Sequence, residues 1–273
     1  MTMPELPEVE TVRTVLAPTL LKRKVVQVVI SDLKVLGNGT PAQFTYGILQ
    51  QTITKMTRRG KYLTVHFANG NRVVIHLRMT GVLTVNHPKD PVARHTVMLW
   101  VLDNGDQMRF ADDRGFGRFW LIHDGQPDVS GQQKLGVEPK DVTAEYLQQK
   151  FARRSLAVKS LLLDQAIVAG IGNIYSDEIC FRTGILPTRP GNSLTPDEYN
   201  RLADNIKTTI AEFINNHHVT LTEYRKSEGK SYQTDKYLQV YGHAGTPCPN
   251  CGTTLVGTRI NGRSSVYCPR CQK

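Results

Sequence analysis

The sequence predicts an α+β fold of more than one domain: an N-terminal helix with an antiparallel β-sandwich or barrel, then a helical region, then a cysteine-bearing β-hairpin. Three observations carry this. From Val25 to about Ile122, runs such as VVQVVI, YLTVHF, RVVIHL, VMLWVL and RFWLI are short, β-branched or aromatic, and punctuated by Asn-Gly and Asp-Asn-Gly turns. Past a segment with three glycines and two prolines, Asp124 to Asp141, the apolar spacing becomes helical. The tail carries Cys248-Pro-Asn-Cys251, sixteen further residues, and Cys268-Pro-Arg-Cys271.

Taken in order, the first element is a helix over Glu8 to about Leu21, with apolar positions at Val9, Val12, Val15 and Leu16 and with Pro7 placed as a first-turn proline. Just before it stands Pro4. If the mature chain starts there, with Met3 as the removed initiator, Pro4 carries a free secondary amine able to condense with a sugar aldehyde. A terminal amine, with pKa near ~8 against ~10.4 for lysine, is the more available nucleophile at neutral pH. If residues 1 to 3 remain, Pro4 is an amide whose lone pair is delocalised. After the strands, helices are expected over Ala144–Phe151, Leu156–Gln165, Asn173–Thr183 and Thr195–Asn215, the last announced by Ser193-Leu-Thr-Pro-Asp-Glu. A polar loop, Thr222 to Lys236, leads into the tail, where Asn261-Gly262 turns two strands over Thr258 to Tyr267. The domains read as 1–134, 135–237 and 238–273.

Length and composition suit this plan. The 273 residues suggest about two domains, and 40% apolar residues fill a sizeable core. Lys and Arg outnumber Asp and Glu by 34 to 24, a net +10 that favours a polyanionic partner. No apolar run approaches the ~18 residues of a membrane helix, and the acidic N-terminus is unlike a signal peptide, so the chain is expected in the cytoplasm. Five cysteines, four of them in paired spacing, fit a metal site better than a disulfide framework. Cys180 is left over as a small buried apolar residue.

Two CxxC knuckles around a hairpin-length insert offer four thiolates in the tetrahedral set that zinc prefers, and four protein ligands leave no open position: one structural Zn2+ held by Cys248, Cys251, Cys268 and Cys271. Arg259 and Arg263 lie on or beside the hairpin turn, as phosphate contacts or as solvated arginines. Val168-Ala-Gly-Ile-Gly-Asn-Ile-Tyr175 puts two glycines and an asparagine at a helix start, either a phosphate cradle or a helix-joining turn.

PELPEVETV at the start, RRGKYL at 58–63, HLRMTG at 76–81, DDRGFG at 112–117, LLDQAIVAGIGNIYSDE at 162–178 and the CxxC tail together resemble the bacterial formamidopyrimidine-DNA glycosylases. These motifs span almost the whole chain in the family's order. The resemblance implies a β-sandwich preceded by a helix, a helix-two-turns-helix domain with a lesion-capping loop, and a four-cysteine zinc β-hairpin, with duplex DNA between the domains. It implies a monomeric bifunctional enzyme of the bacterial cytoplasm, nucleoid-associated when acting: a DNA-formamidopyrimidine glycosylase and apurinic/apyrimidinic-site lyase. Its DNA would contain oxidised purines, chiefly 8-oxoguanine and formamidopyrimidines, or abasic sites.

By the same resemblance Pro4 is the amine that attacks C1′, Glu5 the general acid and base near the sugar, and Glu8 a supporting carboxylate. Lys61 would move protons during β-elimination and Arg263 would support δ-elimination. Met79, Arg114 and Phe116 would fill the void left by a flipped base, where an apolar wedge replaces lost stacking. His76, His95, Arg154, Lys159, Asn173 and Tyr175 match or adjoin phosphate-holding positions. Departures from the pattern are Met1-Thr2 ahead of the usual start, Gly115 in place of a basic residue, Val97 in place of a histidine, and Thr222-Glu223 in the capping loop. Two other readings stay open: an endonuclease VIII-like enzyme for oxidised pyrimidines, and a catalytically silent binder of damaged DNA if Pro4 is not the mature terminus.

Overall fold

The computed structural model describes residues 4–217, 219–230 and 234–273. In chain order its elements are α1 (Leu6–Leu20), β1 (Val25–Ile30), α2 (Pro41–Ile48), β2 (Ile53–Arg59), β3 (Tyr62–Phe67), β4 (Arg72–His76), β5 (Gly81–Asn86), β6 (Thr96–Leu102), β7 (Gln107–Asp112), β8 (Arg118–Ile122), α3 (Ala144–Phe151), α4 (Val158–Leu163), α5 (Asn173–Thr183), α6 (Pro196–Asn216), α7 (Leu221–Lys226), β9 (Val256–Ile260) and β10 (Arg263–Tyr267). They fall into two compact units: the described residues within 1–133 and 217–232, and those within 134–216 and 233–273.

The first unit is a β-sandwich. One four-stranded antiparallel sheet runs β1-β6-β7-β5 and the other β2-β3-β4-β8. Alternation along β5 buries Leu83 and Val85 while their neighbours stay half-exposed, as a two-faced strand requires. Leu63, Val65, Val73 and Ile75 from one sheet share a core with Leu83, Met98, Trp100 and Phe110 from the other. Val9, Val12, Leu16 and Leu20 add the apolar stripe of α1 to that core. Fixing this helix on the sandwich fixes the residues at its start.

Three features depart from the sequence expectation. Within the stretch expected to be all strand, α2 forms, because Thr40 caps Gln43 N–H while the Gln43 side chain accepts from Thr40 N–H, with Pro41 in the first turn. The expected loop from Thr222 contains α7, capped in the same reciprocal way by Thr220 and Glu223, and a 3-10 turn at Thr234–Tyr237; residues 231–233 of that stretch lie outside the described residues. Residues of this segment pack on the sandwich: the Tyr224 hydroxyl donates to the Leu83 carbonyl at 2.9 Å and Arg225 Nε to the Val85 carbonyl at 2.6 Å.

The second unit holds α3 to α6 and the hairpin β9–β10. Tyr199, Leu202, Ala203, Ile206, Ile210 and Phe213 line one side of α6, at the spacing of a buried helical stripe. Its start is a capping box, with Thr195 Oγ1 accepting from Glu198 N–H and Glu198 Oε2 accepting from Thr195 N–H. Among the described residues, no helix is long and apolar enough to cross a membrane.

Candidate functional site

Pro4 is buried, and the carboxylates after it are too, Glu5 at 2% exposure and Glu8 at 3%. The Glu8 carboxylate accepts the Glu5 N–H at 2.9 Å, which satisfies a helix-start donor and places negative charge at the positive end of the α1 dipole. One turn on, Glu10 accepts from Arg13 and from Arg58 Nε at 3.0 Å, and Arg58 Nη1 donates to the Gly60 carbonyl at 3.0 Å. That chain of bonds ties α1 to the two-residue turn between β2 and β3, where Gly60 takes φ +53. The second residue of the turn is Lys61, 5% exposed. The structure thus holds Pro4, Glu5, Glu8 and Lys61 within one unit, buried on or beside rigid elements. The alternative start at Met3 concerns residues 1–3, which lie outside the described residues.

Two histidines belong to this neighbourhood. His76 is 7% exposed at the end of β4, edge-on to Tyr62 at 4.5 Å between ring centroids, and its Nδ1 accepts the Arg78 N–H. Burial, with Arg78 and Lys61 adding positive charge nearby, pushes its pKa down to about 3. The ring is therefore neutral at physiological pH, a hydrogen-bonding group rather than a charge. His217, which sequence reasoning missed, is 4% exposed; it bonds to the Pro7 backbone and feels the Glu8 charge, while burial pushes its pKa down. A histidine in a connecting segment far along the chain carries no signal for such a contact.

The three expected void-filling residues occupy two adjacent turns. Met79 is half-buried in the turn between β4 and β5, and Arg114 and Phe116 are exposed in the turn between β7 and β8. The Arg114 guanidinium lies 4.8 Å from the centre of the Phe116 ring, a cation–π stack that presents both as one projecting surface. Asp112, buried at 4%, organises both turns. Its Oδ1 accepts from Thr80 Oγ1 at 2.5 Å and from Arg114 N–H at 3.3 Å, and its Oδ2 accepts from Gly117 N–H at 2.6 Å. Its own N–H donates to the carbonyl of exposed His95, which sits at φ +60. Sequence reasoning passed over Asp112, although an acid opening a glycine-rich turn is a signal for such a node.

In the second unit the glycines of the GIGN stretch are ordered by Gln165. Its amide accepts from Gly170 N–H at 2.9 Å and donates to the Ile171 carbonyl at 2.7 Å. The turn delivers Asn173 to the start of α5, where the cap is Gly172, a residue with no side chain to obstruct a ligand. Asn173 is half-buried and donates to Ser264 Oγ at 3.2 Å. Tyr175 is fully buried, its ring edge-on to Phe213 at 5.0 Å, which is a core position in this conformation. Arg154 is exposed, 3.3 Å from Asp164. Lys159 differs most from expectation: it is 0% exposed and its ammonium reaches Asp177 and the Ser264 carbonyl, each at 2.7 Å, so it presents no charge to a phosphate at the surface.

The sulfurs of Cys248, Cys251, Cys268 and Cys271 all lie within 4.8 Å of one another. Opposite pairs stand 3.9 Å and 3.5 Å apart, close to the ~3.8 Å that tetrahedral Zn–S bonds of ~2.3 Å require. The donor set fits one structural zinc. Arg263 opens β10, exposed, one residue past the turn in which Asn261 and Gly262 both take positive φ (+48 and +77), as a two-residue hairpin turn demands. Cys180, the fifth cysteine, is 0% exposed within α5, and burial pushes its thiol pKa up.

In class, this is a zinc-hairpin protein with a buried acid cluster at its N-terminal helix and an exposed Arg114–Phe116 stack beside Met79 on two neighbouring turns. Family comparisons agree along the whole chain: the formamidopyrimidine-DNA glycosylase N-terminal domain matches residues 3–119, the H2TH domain of those enzymes matches 135–224, and the zinc finger found in FPG and IleRS matches 245–273. A formamidopyrimidine-DNA glycosylase of Pelotomaculum thermopropionicum is 42% identical over 274 residues, covering 99% of each chain. That of Herpetosiphon aurantiacus is 39% identical, over 99% of this chain and all of its own. The structure of Lactococcus lactis Fpg (MutM) bound to DNA containing an oxidised pyrimidine superposes with a TM-score of 0.89 at 29% identity, over 99% of this chain and all of that one. MutM in complex with DNA containing carbocyclic 8-oxo-G gives the same TM-score, identity and coverage. The chain belongs to the formamidopyrimidine-DNA glycosylase family.

Proposed function

We propose that this protein excises oxidised purines from duplex DNA through an iminium (Schiff base) formed by Pro4, and then cleaves the strand at the resulting sugar. The observation that carries the reading is the pair of buried carboxylates, Glu5 and Glu8, set directly after Pro4 by the capped start of α1. In this scheme the Pro4 amine, freed of residues 1–3, bonds to C1′ as the bond to the base breaks and the departing base takes a proton; the C1′–O4′ bond then opens, O4′ takes a proton from Glu5 and C1′ is left as the iminium. Glu5 is the acid and base at the sugar, and Glu8 holds its backbone. Loss of a C2′ proton then expels the 3′ phosphate, with Lys61 moving the proton, and a second elimination supported by Arg263 expels the 5′ phosphate. Lesion access requires extrusion of the base, which costs a few kcal/mol, and the Met79, Arg114 and Phe116 wedge offsets lost stacking. Duplex DNA with oxidised purines or abasic sites is the substrate, with His95, Arg154 and Asn173 as phosphate contacts and His76 as a neutral donor. We further propose domains at 1–134, 135–237 and 238–273, with the protein acting as a monomer in the cytoplasm and at the nucleoid.

A second reading, action on oxidised pyrimidines, is favoured by the likeness to Lactococcus lactis Fpg bound to oxidised-pyrimidine DNA. One experiment addresses both. Protein whose mature terminus has been read by intact mass is incubated with 8-oxoguanine:cytosine or thymine glycol duplexes and reduced with borohydride. A covalent adduct forming faster on 8-oxoguanine is the expected outcome. Faster trapping on thymine glycol would move the assignment to pyrimidines, and no adduct from chains starting at Pro4 would overturn the iminium mechanism.

A further inference from the structure

We infer that the buried Lys159–Asp177 pair is a positioning device for Arg263, governing the second strand-cleaving elimination from inside the helical unit; this rests on the proposed role of Arg263. Zinc holds the base of the hairpin, but Arg263 is five residues from Cys268, or ~17 Å along an extended strand, and needs its own anchorage. The anchorage is visible at the tip. Lys159 on α4 and Asp177 on α5 are both 0% exposed and meet at 2.7 Å. The same ammonium donates to the Ser264 carbonyl at 2.7 Å. Asp177 Oδ1 accepts from Ser265 Oγ at 2.6 Å, and its Oδ2 accepts from Val266 N–H at 3.1 Å. Asn173 donates to Ser264 Oγ, and on the other side of the turn Asn261 donates to Ser160 Oγ at 2.7 Å.

Arg263 is therefore bracketed, with Asn261 tied down two residues before it and Ser264, Ser265 and Val266 tied down directly after. Its backbone is fixed while its side chain stays exposed. A buried ion pair is a poor source of net stability, because desolvation of both charges offsets their attraction, but it enforces a geometry strictly: either partner left alone is a buried unpaired charge. The pair joins three elements that no local sequence preference would align, and it leaves Lys159 no part in holding a phosphate.

The test uses full-length zinc-loaded protein on a preformed abasic-site duplex, so that base excision does not enter, and reads the ratio of doubly to singly eliminated ends. Arg263→Ala sets the floor of that ratio. The double variant Lys159→Met with Asp177→Leu removes both charges together and with them the bonds to the Ser264 carbonyl, Ser265 Oγ and Val266 N–H. With zinc content and helicity at parental levels, its ratio should fall by about tenfold or more toward the floor, since a misplacement of about 1 Å can cost up to about 10²-fold. A parental ratio in that variant overturns the inference. If the double variant loses zinc, Ser265→Ala decides, since it removes one hydrogen bond and no charge: a lowered ratio upholds the clamp and a parental one overturns it. Should Arg263→Ala itself leave the ratio unchanged, the role of Arg263 fails and the clamp has nothing to position.

Discussion

Asp112 shows how one buried carboxylate can hold two turns that carry candidate site residues. It binds both turns of the proposed wedge, through Thr80 beside Met79 and through the backbone at Arg114 and Gly117. Hydrogen bonds to a charged acceptor contribute about 1.5–3 kcal/mol each, so Asp112→Asn should cost roughly that much and loosen both turns. Excision of 8-oxoguanine from duplex DNA should fall by about 10-fold or more while cleavage of a preformed abasic site falls less, because only the former needs the base displaced. Equal losses in the two assays would refute the wedge role. His76 gives a prediction in pH. Its folded pKa of about 3 lies below the ~6.5 of an unfolded histidine, so between those values the unfolded chain holds a proton that the folded one does not. The stability due to this group is complete above the unfolded value and is lost as pH falls toward 3. Urea midpoints at pH 8 and pH 5 should therefore drop more for the parent than for His76→Gln, and identical drops would contradict the assignment.

At the scale of elements, what the sequence revealed followed local chemistry. Ala144–Phe151 and Asn173–Thr183 form with the bounds their patterns predict, and the hairpin turns at Asn261-Gly262, because caps, periodicity and turn dipeptides are local signals. The misses share a cause as well. A capping box in eight residues makes α2, yet eight residues are too short for periodicity to stand out from the β-branched text around them. The site divides along the same line. Motifs singled out Pro4, Glu5, Glu8 and Lys61 as candidates, but whether a lysine meets solvent or a buried carboxylate depends on an element elsewhere in the chain, as Lys159 and Asp177 illustrate. For the same reason His217 gave no warning of its contact with the Pro7 backbone, whereas Asp112, at the head of a glycine-rich turn, carried a local signal that was passed over.

For the whole molecule the governing quantity is charge. A net +10 over 273 residues is a field that sequence alone displays, and it has a thermodynamic signature, because each phosphate neutralised releases counterions. Affinity for lesion duplex should fall by about 10³-fold or more between 50 and 200 mM salt if six or more phosphates are held. A titration by fluorescence anisotropy checks this, and a flat response would exclude an extended phosphate-binding surface.

The burial of Cys180 has a further consequence. A protein whose proposed substrates are products of oxidative damage works where peroxide is present, and thiols are attacked as exposed thiolates. Cys180 is sealed within α5 and held protonated, while the other four cysteines are the zinc set. Among the described residues oxidative wear is thereby left to the zinc knuckle and to the half-exposed thioether of Met79, whose sulfoxide would put a polar group where the proposed wedge needs an apolar one. The residue proposed to slip into the damaged helix is also the one that damage can blunt.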